Sequence, residues 1–400
     1  MSTYDLLISI SAIIILSYVF DLFSSKTKLP AVMLLLLLGV GIKQTVIFFG
    51  VDVANYERQM NLVLPFLGTL GLIFIVLEGA LELEINRSKK MLLLKSFLAA
   101  LVVLFITVGA IWAILFYGYQ QDSNLALLNA IPLSVISSAI AIPSVAAMTG
   151  YEKEFIIYES SFSDILGVMM FNFVQSNSVI NGWAFANLGY ELFLIFIISI
   201  LATVSLGLLF ERLGHHKKFA LLLAVLLLFY GLAKHFHLSA LVLIFIFGLF
   251  AGNNEFFINK VFRQKFKMKV LQNEIHHFQS FVTEFAFIIR TFFFVIFGAA
   301  INFAGLVNPD KLMLASFIFC SIYVLRFLYF KITKDDKDNL LWYVAPRGLI
   351  TILLFYSIGE HQKLSIIDHD VLLLVILASV LILAMGSMFN AKKSIKINQG

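Results

Sequence analysis

The chain reads as an all-α membrane protein of about thirteen transmembrane helices, built as inverted repeats with two broken helices crossing near the bilayer midplane. Three observations predict this. Of 400 residues, 60% are hydrophobic and only 13% charged, with a mean hydropathy of +0.95. Such a chain cannot bury its apolar surface in one aqueous core, so its solvent is the bilayer. Apolar runs of the roughly 20 residues that a spanning helix needs recur along its length, without the alternation of spanning strands. Finally, Pro143 and Pro346-Arg347-Gly348 interrupt two of these runs with polar neighbours. The two runs lie seven spans apart and so in opposite orientations, as an inverted repeat of two bundles requires.

In order, the expected spans are 4–23, 30–50, 61–81, 91–117, 125–149, 155–176, 190–211, 218–234, 238–252, 272–303, 310–331, 340–358 and 369–389. The ninth is short and the tenth long. The N-terminus, Met-Ser-Thr-Tyr-Asp, lacks the basic region of a cleaved signal, so the first run is read as a retained span. With the N-terminus outside, twenty Lys and Arg residues fall in cytoplasmic segments and four, Arg58, Lys234, Lys311 and Lys363, in the opposite loops. This positive-inside bias fits an odd number of spans with the C-terminus in the cytoplasm. The loop lysines account for the net charge of +5, so the charge does not point to nucleic acid. Residues 255–270 mix lysines with Phe256, Phe257, Phe262 and Phe266, which suits either an amphipathic helix on the cytoplasmic leaflet or a charged loop. The single Cys320 excludes a disulfide within one chain.

The candidate site is Glu159-Ser160-Ser161-Phe162-Ser163-Asp164, two carboxylates and three hydroxyls inside the apolar run 155–174. Ionisable groups at membrane depth are costly and mark ion or proton paths. On a helix, Ser160, Ser163, Asp164 and Gly167 fall on one stripe, an oxygen-rich face suited to a monovalent cation. Burial disfavours the charged form of a carboxyl group, so Asp164 is expected to hold either a proton or a cation, with Ser160 and Ser163 beside it. The other role for such an Asp is to cap a broken helix. Glu159 points about 140° away around the helix and needs a buried partner; Arg347 is the first candidate and Arg290 its competitor. Glu78, at the end of the third span, and Glu284 have no assigned role. The histidines cluster at span ends and read as interfacial residues. No nucleophile–His arrangement, phosphate-cradling loop or metal-ligand spacing occurs, so no enzyme activity and no cofactor are expected.

At these residues the chain resembles the sodium/proton exchanger branch of the cation–proton antiporter superfamily. The likeness runs through Lys28-Leu29-Pro30 with Gly39 and Gly41, Phe74 to Gly79, Glu159-Ser160 with Asp164, Leu238-Ser239-Ala240 through Gly248 to Gly252-Asn253, Arg290-Thr291-Phe292, and Pro346-Arg347-Gly348. It implies cation-for-proton exchange in a plasma membrane by a homodimer whose core slides like an elevator. It implies cation ligands at Ser160 and Asp164, with Glu159 buttressing them. It also implies scaffold and dimerisation helices in 1–90, core helices in 91–178 and 306–390, further linker and scaffold helices in 190–305, and a short tail at 391–400. Two departures stand out. The fifth span carries Ala141-Ile142-Pro143 where that branch usually has Thr-Asp-Pro, and Ser163 stands where it usually has Asn. Ser144, Ser137, Ser138 or freed backbone carbonyls are the expected substitutes. A single Asp, where the electrogenic branch has two, implies one cation exchanged for one proton. An organic-ion transporter on the same fold and a channel-like homologue are the competing readings.

Overall fold

An apolar run in lipid must satisfy every backbone N–H and C=O internally, and the α-helix does so within one segment. In the computed structural model, the described residues are 3–27, 30–49, 53–83, 85, 87–145, 148, 150–177, 180–212, 218–236, 238–253, 268–301, 308–333 and 341–397. They contain helices and no strands. The helices are α1 (Thr3–Thr27), α2 (Ala31–Phe48), α3 (Val53–Glu82), α4 (Lys90–Ala113), α5 (Ser123–Ser134), α6 (Ser138–Ser144), α7 (Tyr151–Ser176), α8 (Gly182–Arg212), α9 (Lys218–His235), α10 (Ala240–Gly252), α11 (Met268–Ala299), α12 (Pro309–Thr333), α13 (Leu349–Ser357) and α14 (His369–Ile397). With α5 and α6 as the two halves of the fifth span, they follow the expected order of spans. Among the described residues, eight stretches are long and apolar enough to cross a membrane.

Several starts are fixed by side-chain caps. Asp122 accepts from the N–H groups of Asn124 and Leu125 at α5. Asn181 accepts from Ala184 at α8, Asn308 from Asp310 at α12, and Asp368 from Asp370 and Val371 at α14. Each supplies acceptors to first-turn donors that have no partner within the helix.

The chain divides into two compact units, each with its own packing. The first comprises residues 1–71, 96–164 and 287–400. Its interior is the broken span: 83% of the Ser123–Ser144 stretch is buried, against 6% for the apolar stretch of α1. α5 therefore belongs to a protein interior, and α1 presents its apolar surface outward. Within this unit α2 and α11 meet backbone to backbone. A Cβ on Gly39 would strike the Val295 carbonyl and the Ala299 amide, and one on Gly298 would strike the Leu36 carbonyl. The Lys43 ammonium then donates to the Ile301 carbonyl just beyond α11, 3.0 Å away.

The second unit comprises residues 72–95 and 165–286. Gly248 of α10 lies against Ala80 and Leu77 of α3. Asn253, at the end of α10, accepts from the Ile85 N–H and donates to the Leu83 carbonyl, both at 2.7 Å.

One expectation is corrected: the break in the fifth span is not at Pro143 but at Val135–Ser137, where the backbone is extended between α5 and α6. In the twelfth span an irregular stretch at 344–348 contains Pro346-Arg347-Gly348; a turn at 341–343 precedes it and α13 starts at Leu349. Most of the basic segment 255–270, together with Lys28-Leu29 and His215-His216, lies outside the described residues.

Overpacking a full interface costs about 1–3 kcal/mol. Gly298→Val should therefore lower the thermal midpoint of the detergent-purified protein by several degrees. Gly41→Ala, whose Cβ meets open space, should leave it unchanged. An unaltered midpoint for Gly298→Val would show that α2 and α11 do not touch through these glycines.

Candidate functional site

Breaking a helix inside a protein strands backbone groups, and each must find a partner. At the break after α5 each N–H of the sequence 136–138 finds one. The Ile136 N–H donates to the Ser163 hydroxyl, 3.0 Å away. The Ser137 N–H donates to the Pro346 carbonyl at 2.9 Å. The Ser138 N–H donates to Asp164 Oδ2 at 3.3 Å, and the Ser138 hydroxyl donates to the same oxygen. Just before the break, the Leu133 carbonyl accepts from Arg347 Nε at 2.8 Å. The two non-helical stretches, 135–137 and 344–348, thus cross in direct contact. Gly348 lies against the Ile140 side chain and the Ser137 hydroxyl, where a Cβ would not fit.

Asp164 is 6% exposed, and its two oxygens have different surroundings. Oδ2 takes both donors from Ser138, at the start of α6, where the half-helix presents its positive end. Oδ1 is buried without a hydrogen-bond partner. The capping role and an open ligand position therefore coexist in one side chain. Ser160 is buried, and its hydroxyl donates to the Ile157 carbonyl at 3.2 Å, leaving its oxygen able to accept. Ser163 uses its oxygen on Ile136, so it holds the break in place. Ser137, in the first of the non-helical stretches, and Thr351, in the first turn of α13, carry buried hydroxyls without partners. Ser144 is turned to its own helix, donating to the Ala141 carbonyl.

The expected Glu159–Arg347 and Glu159–Arg290 pairs do not form. Glu159 is 1% exposed and is held by Arg326 of α12, which is 0% exposed. The contact is a bidentate fork, Nη1 to Oε1 at 2.6 Å and Nη2 to Oε2 at 2.8 Å. Arg326 also donates from Nε and Nη2 to the Leu341 carbonyl and lies over the Phe330 ring. A planar guanidinium suits such a buried fork, and its spare donors fix the start of the second non-helical stretch. The sequence did carry the signal: Arg326 is the lone charge between Leu312 and Phe330, as expensive there as Asp164 in its own run.

Arg347 does different work. It is 0% exposed; besides Leu133 it donates from Nη1 to the Ala345 carbonyl, and its own N–H donates to Ser379 of α14. Its charge sits at the carbonyl end of α5, where the helix dipole is negative. Arg290 explains why Pro143 does not break the chain. A proline leaves the carbonyl four residues before it without its helical donor. That carbonyl belongs to Ala139, and it accepts from Arg290 Nη1 at 3.3 Å.

A family model described as "Sodium/hydrogen exchanger, transmembrane" matches residues 10–391. Among the solved structures similar to this chain are two of one antiporter. One is the sodium proton antiporter MjNhaP1 from Methanocaldococcus jannaschii at pH 8, at 19% identity and a TM-score of 0.71, covering 97% of this chain and 99% of that one. The other is an electron-microscopy map of the same antiporter, at 19% identity and a TM-score of 0.67, covering 98% and 97%. No curated protein matches the chain.

Removing one partner of a buried ion pair costs about 3–5 kcal/mol, because the other charge is left stranded. Arg326→Gln should lower the thermal midpoint strongly, and adding Glu159→Gln to it should recover much of the loss. Additive losses for this pair, or recovery when Glu159→Gln is combined with Arg347→Gln, would contradict the assignment. Likewise Pro143→Ala restores a donor for the Ala139 carbonyl. In that background Arg290→Met should cost less than in the parent, by roughly 0.5–3 kcal/mol of coupling, read from a thermal-unfolding double-mutant cycle.

Proposed function

Because the chain belongs to the sodium/hydrogen exchanger family of transmembrane proteins, we propose that it is a secondary antiporter exchanging a monovalent cation for H⁺ at Asp164. Na⁺ is the first candidate, with K⁺ and Li⁺ next. The observation that carries this reading is the unequal pair of oxygens on Asp164, one held by Ser138 and the other buried without a partner. A buried carboxylate left bare is costly. A proton or a desolvated cation at Oδ1 removes that cost, and one such position favours one occupant at a time. Exclusive occupancy couples the two fluxes: the site crosses the barrier loaded with one or the other.

Ser138 keeps Oδ2 fixed while the occupant of Oδ1 changes. Ser160 contributes a further oxygen one helical turn away. Ser163, Pro346 and Arg347 hold the two non-helical segments against each other, so they position the site without binding the ion. A single carboxylate carries one charge, which supports the exchange of one cation for one proton with no net charge moved.

By the same reading the protein works in a plasma membrane as a homodimer, with its N-terminus outside and its C-terminus in the cytoplasm. Helices in 91–178 and 306–390 form the part that carries Asp164 between the two sides by an elevator movement. Helices in 1–90 and 190–305 form the scaffold through which two copies associate.

The test is cation-driven proton movement in proteoliposomes. Wild-type protein should move protons against a Na⁺, Li⁺ or K⁺ gradient. Asp164→Asn should abolish this while remaining a folded, monodisperse protein. Ser138→Ala should retain exchange but change the half-saturating cation concentration about tenfold, the weight of one hydrogen bond to a charged group. Competition also sets the pH dependence: half-saturating cation concentration should fall as pH rises and level off once the carboxyl is fully ionised. Wild-type exchange by Asp164→Asn would remove the assignment.

A further inference from the structure

The second unit holds a cavity whose lining includes none of the residues around Asp164. It occupies about 320 Å³ between the end of α7, the start of α8, the end of α9 and the start of α10. That is near the lower end of the roughly 300–1,000 Å³ of ordinary ligand pockets. Its floor is apolar, where Ile195 and Val242 pack with Leu243, Met169 and Leu192. Its walls are polar. On α8, Asn187 and Glu191 face it one turn apart; across from them are Asn172, Ser239 and Lys234. Asn172 donates to the Ser239 hydroxyl at 2.7 Å, which fixes the α7–α10 wall.

Two features of the lining stand out chemically. Glu191 is partly buried, Lys234 is exposed at the last turn of α9, and both line the same cavity. Among the described residues neither makes an ion pair or hydrogen bond with the other or with any third group. A carboxylate half withdrawn from water calls for a cation, and an ammonium beside carboxamides calls for an anion. The two being apart, one ligand carrying both charges satisfies them together. The depth is also informative. Trp183 and Tyr190 at the start of α8 are 77% and 63% exposed, with Phe185 between them at 59%. Exposed Trp and Tyr at a helix end mark the headgroup layer of a bilayer.

We infer that this cavity is a binding site for the headgroup of a zwitterionic phospholipid of the phosphoethanolamine type. The ligand's ammonium donates to the Glu191 carboxylate. Its phosphate accepts from the Lys234 ammonium and from the Asn187 carboxamide at the rim. The acyl chains leave along the exposed aromatic face of α8, since the volume holds a headgroup and no more. The inference is independent of the ion site, because no cavity residue takes part in the Asp164 arrangement.

The experiment is native mass spectrometry of the full-length protein released from nanodiscs of equal dioleoyl phosphatidylethanolamine and dioleoyl phosphatidylglycerol. The wild type should retain phosphatidylethanolamine in preference. Glu191→Gln and Lys234→Gln should each reduce that retention about tenfold, the loss of one charge-assisted hydrogen bond. Asn187→Trp, which obstructs the rim without removing a charge, should do the same. Thermal midpoints measured in lipid-free detergent serve as the folding control. Equal retention of the two lipids, or wild-type retention by all three variants, would overturn the proposal. Complete displacement by soluble glycerophosphoethanolamine at millimolar concentration would also overturn it, by making the cavity a site for a soluble solute.

Discussion

The structure turns on the obligation to satisfy backbone polar groups in a medium that offers no water. Opening the fifth span at Val135–Ser137 exposes N–H donors in a buried part of the protein. Left unpaired, each would cost several kcal/mol in apolar surroundings. The chain meets the obligation with groups from elsewhere: a hydroxyl of Ser163, the carbonyl of Pro346 and the carboxylate of Asp164. The last of these is where structure becomes chemistry. One oxygen of Asp164 is committed to the break, which fixes the other in position without occupying it. Non-helical backbone at membrane depth is tolerated where it is buried in protein or lines a cavity, and here it builds the setting of the acid.

The remaining charges follow the same economy of partners. Glu159 and Arg326 neutralise one another through two parallel hydrogen bonds, and Arg326 spends its spare donors on Leu341. Arg347 instead faces carbonyls at the end of α5 and on its own segment. Arg290 supplies the donor that Pro143 withholds from Ala139. Three arginines thus secure three different discontinuities in the helices. Among the described residues none of them forms an ion pair with Asp164, whose charge is answered by Ser138 at the start of α6.

Much of this was legible in the sequence, and the reasons differ by residue. The spans declare themselves because hydrophobic runs in lipid have a required length, and Asp164 stands out because a carboxylate there has no ordinary excuse. What failed was pairing. The distance from Glu159 to Arg326 along the chain contains no periodicity that links them, and motif position favoured Arg347. Arg326 was nonetheless visible as a charge within an apolar run. The break was misplaced because Pro143 is the obvious local disruptor, whereas the helix stops where tertiary partners for freed donors exist. Val135, Ile136 and Ser137 carry no breaker residue; only the crossing with 344–348 makes their extended backbone affordable. The departures at Ile142 and Ser163 become intelligible in part: Ser163 Oγ accepts the Ile136 N–H directly, while nothing in the structure explains Ile142.

The central claim is that a proton and a cation exclude each other at one oxygen of Asp164. Its most direct measurement is proton release from the purified protein in weakly buffered solution on addition of Na⁺, Li⁺ or K⁺, scanned over pH. The account predicts saturable release approaching one proton per chain for the transported ion, diminishing at high pH where the carboxyl is already ionised, and none from Asp164→Asn. Release that persists undiminished in Asp164→Asn, or cation binding to the wild type that displaces no proton at any pH, would contradict it.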